Sequence, residues 1–167
     1  MTRTGYISLV ASVGLAFVTG LVPGERHAEA ATQTLVIKQQ SPVLESVDLR
    51  DAGHGHGDML AFEAAITADD GAVGTLRGIL ITVDLPDAAG DAFEDRIGQI
   101  VFDLGDGNSI VVVGASVYAE ATTEMTADQP QVRVVVGGTG KYLGARGQVS
   151  TTRNSDGTYE HRFELLD

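Results

Sequence analysis

Along most of this chain, apolar and polar side chains alternate with a period of two, and short turn-forming clusters interrupt the alternation. The final stretch is the clearest case. Tyr159, His161, Phe163 and Leu165 share one parity, and Glu160, Arg162 and Glu164 share the other. Successive side chains of a strand point to opposite faces, so such a segment offers one face to a core and one to water. No segment carries the 3.6-residue repeat of an amphipathic helix over a useful length. An all-β chain is expected.

Strand candidates follow one another at short spacing. Thr34–Ile37 leads into Val43–Leu49, and after a Gly/His loop at Gly53–Gly57 comes Met59–Thr67, with Leu60, Phe62, Ala64 and Ile66 on one face. Asp69-Asp70-Gly71 turns the chain into Val73–Val83, and a loop at Pro86–Asp91 precedes Phe93–Leu104. Asp106-Gly107-Asn108 opens the way to Ser109–Ala119; Gly and Asn tolerate the positive φ of tight hairpins. A polar loop through Pro130 precedes Gln131–Val136, and the last hairpin joins Gln148–Thr152 to Thr158–Leu166 across Asn154–Gly157. About eight short strands of this kind predict a sandwich or an up-and-down barrel. The two-faced final strand favours the barrel, whose closure also removes β-branched edges that would otherwise aggregate.

The N-terminus is a separate object. Arg3 precedes an uncharged stretch, Ile7–Val22, followed by Pro23, Gly24 and an Ala28-Glu29-Ala30 pattern suited to cleavage. With Ser8, Ser12, Gly14, Thr19 and Gly20 inside it, the stretch is short and weakly apolar for a membrane span, which needs about 20 residues. The expectation is a signal peptide over residues 1–30, a secreted domain over 31–167, and no stable membrane insertion after cleavage.

Composition removes several function classes. The chain has no cysteine, hence no disulfide, thiol nucleophile or Cys-based metal site. Lys and Arg total 11 against 23 Asp and Glu, a formal net charge of −12 with no basic patch, so no nucleic-acid partner is expected. Gly137-Gly138-Thr139-Gly140-Lys141 superficially suggests a phosphate loop. The required earlier Gly is Val135, the Ser/Thr after the Lys is Tyr142, and no helix pattern follows, so a Gly-rich bend redirecting a strand is the better reading. His54 and His56, with Asp58 beside them, supply too few ordered ligands for zinc and read as a solvated loop; no metal is expected.

Two residues stand out for chemistry. His161 falls on the apolar face of the last strand, as a satisfied core residue or as an acid, base or hydrogen-bond donor in a pocket. Glu45 points inward with Val43 and Val47 if Leu44 and Ser46 face out, and an apolar interior would then raise its pKa. Otherwise it is an ordinary exposed charge.

At Val136-Gly137-Gly138-Thr139-Gly140-Lys141-Tyr142-Leu143-Gly144-Ala145-Arg146-Gly147 the sequence resembles the allene oxide cyclase barrel superfamily, which includes plant allene oxide cyclases, dirigent proteins and bacterial barrel cyclases. Gly57-Asp58-Met59-Leu60-Ala61-Phe62, Val73-Gly74-Thr75 to Gly78, and Asp156-Gly157-Thr158-Tyr159 follow in the order of that family, so the likeness spans Leu35–Leu166. The resemblance implies an eight-stranded antiparallel β-barrel with an apolar interior, no cofactor, and a homo-oligomeric state, dimer or trimer. It sets Glu45 near the carboxylate with which plant cyclases help to open an epoxide. Leu80 stands nearest their interior Cys, and Ser116 near their interior Tyr.

Two functions follow from the resemblance. One is a cofactor-free cyclase or isomerase of a small apolar substrate, with Glu45, His161 and Tyr159 as polar contacts and Leu60, Phe62, Leu80, Ser116 and Phe163 lining the ligand. The other is a noncatalytic, dirigent-like barrel that binds or orients its ligand without turnover.

Overall fold

The structure, a computed structural model, describes residues 32–49, 55–83, 93–119 and 124–167. The expected leader, His54 and the loop Pro86–Asp91 lie outside these residues. The described residues form nine strands: β1 (Thr32–Gln39), β2 (Val43–Val47), β3 (Met59–Ala68), β4 (Val73–Thr82), β5 (Phe93–Asp103), β6 (Ser109–Ala119), β7 (Gln131–Thr139), β8 (Gly147–Arg153) and β9 (Tyr159–Leu166). From β3 to β9 each strand pairs antiparallel with the next. β1 pairs with β9 along its whole length and with the end of β3 through Ile37↔Ala68 and Gln39↔Ile66, which closes the barrel.

β2 is the addition to the eight closing strands. It pairs with the other half of β3, from Val43↔Glu63 to Val47↔Met59, while the Gln40 N–H donates to the Ala65 carbonyl between the two pairings. The segment from Thr32 to Val47 therefore behaves as one strand bent at Ser41-Pro42, where proline has no N–H to contribute to the ladder.

The alternation read from the sequence sorts the side chains. On β9, Tyr159, His161, Phe163 and Leu165 are buried and the residues between them are exposed. One end of the interior is a continuous apolar core that includes Leu35, Ile37, Leu76, Phe102, Ile110, Val112, Val149 and Phe163. Towards the other end a smaller cluster holds Leu60, Leu80, Tyr118, Met125 and Tyr159, with Leu44 and Phe62 packed against it.

The Gly-rich segment seals the packed end. β7 runs on through Gly137, Gly138 and Thr139, with a bulge that leaves Val136 unpaired between Val112↔Val135 and Val111↔Gly137. A single 3-10 turn, Gly140–Tyr142, then tucks Tyr142 into the core. Thr139 Oγ1 donates to the Gly107 carbonyl at 2.7 Å, and the Lys141 N–H donates to Asn108 Oδ1 at 2.9 Å, stitching the turn to the β5–β6 hairpin. Gly140 has a φ of +60°, and a Cβ on Gly138 would strike the Ser109 and Tyr142 carbonyls, so glycine is required at both positions.

Candidate functional site

Large inward side chains reach across this barrel because glycines stand opposite them. Phe62 on β3 lies over Gly78 on β4, and Leu80 on β4 lies over Gly98 on β5. Arg133 on β7 lies over Gly114 on β6, where an added Cβ would come within 3.3 Å of the arginine Cγ. Three adjoining strands thus each give up one side chain to the neighbour's long one. The space left over is a cavity of about 40 Å³ between the two apolar clusters. Leu44, Leu60, Phe62 and Leu80 form its apolar wall, and Gln39, Tyr118, Arg133, Thr151, Tyr159 and His161 supply its polar groups.

His161 sits at the border of the packed core, edge-on to Phe102 with ring centroids 4.8 Å apart. Its Nε2 lies 2.8 Å from Gln39 Oε1, and its Nδ1 lies 3.0 Å from Thr151 Oγ1. Gln39 Oε1 only accepts, so Nε2 carries the proton and Nδ1 accepts from the Thr151 hydroxyl. Burial, and after it the positive charge of Arg133, pushes the imidazole pKa down to about 3, so the ring is neutral at ordinary pH.

Arg133 is buried. Its hydrogen bond to a described residue is a long one, from Nη2 to the Tyr118 hydroxyl at 3.4 Å, and its Nε has no acceptor. Tyr118 has the Arg96 guanidinium over its ring, 4.4 Å from the centroid. At the mouth, Tyr159 donates its hydroxyl proton to Glu124 at 3.1 Å, and Arg153 binds the other Glu124 oxygen, also at 3.1 Å. Burial first and the Glu124 charge second raise the Tyr159 phenol far above its usual range, so it stays protonated.

Of the residues expected from the sequence, Leu60, Phe62, Leu80, Tyr159 and His161 come together around this cavity. Phe163 does not line it. It lies fully buried one layer deeper, edge-on to Phe102 at 5.0 Å. Ser116 also faces inward but lies apart from the cavity, its hydroxyl 3.5 Å from the Arg96 carbonyl oxygen. Glu45 is on the outside, in a surface groove with Val43, Ala61, Arg77 and Ile79. The pairs Leu44↔Phe62 and Glu45↔Ala61 set this direction: Leu44 shares the inner face with Phe62, and the carboxylate stays in water.

Sequence reading missed Arg133, Tyr118, Gln39 and Met125. β7 reads Val132-Arg133-Val134-Val135-Val136, apolar on both parities, so alternation is silent and an arginine is assigned outward by default. Met125 offered a weak signal as the sole large apolar side chain in Thr122–Asp128.

No protein-family profile matches the sequence, and no curated protein matches it. Solved structures do share the architecture. A pyocyanin demethylase is 20% identical with a TM-score of 0.58, the match covering 81% of this chain and 100% of that one. The Diels-Alderase AbmU from Streptomyces koyangensis is 15% identical with a TM-score of 0.56, covering 84% of this chain and 70% of that one. The pterocarpan synthase dirigent protein GePTS1 is 16% identical with a TM-score of 0.50, covering 82% and 84%. At these identities the likeness establishes the fold: this chain has the barrel that also serves cyclases and dirigent proteins.

Proposed function

We propose that this barrel binds a small, largely apolar organic molecule in its interior and directs its cofactor-free cyclisation or isomerisation. The observation that carries the reading is the cavity's polarity, an apolar wall of Leu44, Leu60, Phe62 and Leu80 facing hydrogen-bonding groups held at fixed positions on rigid strands. Such a site acts chiefly by holding a flexible substrate in one reactive conformer. Tyr159 and His161 are the proposed polar contacts. The test is conversion of polyene or epoxide substrates by the purified protein, with native mass spectrometry of the protein from its source to identify what it carries. Turnover that falls in His161→Phe supports the reading. A protein that binds no apolar molecule sinks it.

A second reading, binding or orientation without turnover, is favoured by a specific observation. Both nitrogens of His161 are already engaged, and Glu45 lies outside the barrel. Stoichiometric binding with no conversion of any substrate would select this reading.

Export and self-association belong to the same proposal. Secreted protein beginning at Ala31 would support the first. The second is favoured by an outer face on β5–β7 where Ile97, Val117, Val132, Val134 and Val136 are exposed.

A further inference from the structure

Burying a guanidinium without a counter-charge is expensive, and a barrel meant only for hydrocarbon does not need one. Arg133 is such a group. Of its five N–H donors, Nη2 makes one long bond to a neutral hydroxyl and Nε has no acceptor. No carboxylate pairs with it among the described residues. Glu124, the carboxylate at the mouth of the same cavity, is taken by Arg153 and the Tyr159 hydroxyl. Gly114 is bare where the arginine stem crosses it, so the sheet makes room to keep this side chain inside. The neighbouring His161, whose ring is neutral or cationic, supplies no counter-charge either.

We propose that Arg133 is an anion-recognition residue, and that the ligand of this barrel carries an anionic oxygen on an apolar body and binds with that oxygen innermost. The inference rests on the reading of the cavity as a ligand site and names the chemistry of the occupant. A carboxylate matches the planar guanidinium with two parallel hydrogen bonds, and a phenolate matches it with one. In either case the Tyr118 hydroxyl, which now accepts from Nη2, is placed to turn its own proton to the anion. The cavity of about 40 Å³ has room for the anionic head. The body extends past Leu44 towards the mouth, where Met125, with three rotatable bonds, is the side chain that yields.

The experiment compares charged and neutral partners of one shape on the intact protein. Calorimetric titration with benzoate against benzamide tests the carboxylate, and 4-nitrophenolate against 4-nitroanisole in mildly alkaline buffer tests the phenolate. Expected is a preference of about tenfold or more for one anion over its neutral partner, the size of a charge-assisted contact. Arg133→Met, whose folding is checked by circular dichroism, abolishes that preference while leaving the neutral partner's affinity within about twofold, and Arg133→Lys retains part of it. The wild-type comparison alone decides should Arg133→Met fail to fold. Equal affinity for anion and neutral partner, or a preference that survives Arg133→Met, overturns the inference and leaves the ligand cavity standing. Failure of all four probes, and of neutral apolar dyes as well, removes the ligand cavity with it.

Discussion

His161 Nε2 donates to Gln39 Oε1 at 2.8 Å, tying the last strand of the barrel to the first from the inside. With Thr151 donating to Nδ1, the neutral ring satisfies both neighbours, and adding a proton would place a second cation beside Arg133.

Acid stability follows from this pair. The imidazole pKa falls from the usual 6.5 to about 3 on folding, so between those values the unfolded chain binds the extra proton. Stability contributed by the neutral ring is complete above about pH 7 and is lost as pH falls through 6.5 towards 3. From pH 7 to 5 this one group costs about 2 kcal/mol by linkage. Urea unfolding across that range is expected to show the loss in the wild type and a much flatter dependence in His161→Gln. Parallel pH profiles for the two proteins would contradict the assignment.

Arg133→Met is expected to stabilise the ligand-free barrel. Replacing a buried, uncompensated charge by an apolar side chain of similar length removes a desolvation penalty; replacing even a buried ion pair by apolar side chains can gain about 1–4 kcal/mol. Chemical denaturation measures the gain. A loss greater than about 1 kcal/mol would show that the guanidinium contributes to the fold through its contacts.

Gly78→Ala is expected to cost about 1–3 kcal/mol, because the new methyl collides with the Phe62 ring and forces it towards the cavity. Gly78→Ala combined with Phe62→Leu should recover part of the loss, so the two changes couple in a double-mutant cycle. Strict additivity would show that the ring and the glycine are independent.

Self-association is tested by charge. Val134→Glu places a carboxylate on the exposed apolar face of β7, where the native side chain is 48% exposed. Light scattering during size exclusion should find a dimer or trimer for the wild type and a monomer for the variant, with unfolding midpoints nearly unchanged. A monomeric wild type would remove the outer face as an interface.

The barrel was legible because its last strand alternates buried and exposed residues without exception from Tyr159 to Leu165, with every carboxylate and guanidinium on the exposed side. The interior polar groups were legible only where that contrast held. His161 stands among aromatics, a contrast that assigns it inward. Arg133 stands among valines that serve both faces, and the bulge at Val136 shifts the parity just beyond it. Glu45 shows the complementary difficulty. In Val43-Leu44-Glu45-Ser46-Val47 both parities look half apolar, and only pairing with β3 decides that Leu44 turns in. The Gly-rich segment reads as a bend from Gly137 on, whereas β7 continues to Thr139 and the chain turns only at Gly140–Tyr142. The partner of that turn is not legible, because Asn108 and Gly107 are some thirty residues away and meet it through tertiary structure alone.

The pairing of β1 with β9 has a kinetic consequence. Thr32 finds its partner at Leu166, so the barrel cannot close until its first and last strands, far apart in sequence, have met. Until then the strand carrying Arg133 has an unfinished wall, and its guanidinium can keep its water. Dehydration of that cation is thus deferred to the annealing of β1 with β9, a step between distant segments that characteristically slows all-β domains to about milliseconds or seconds.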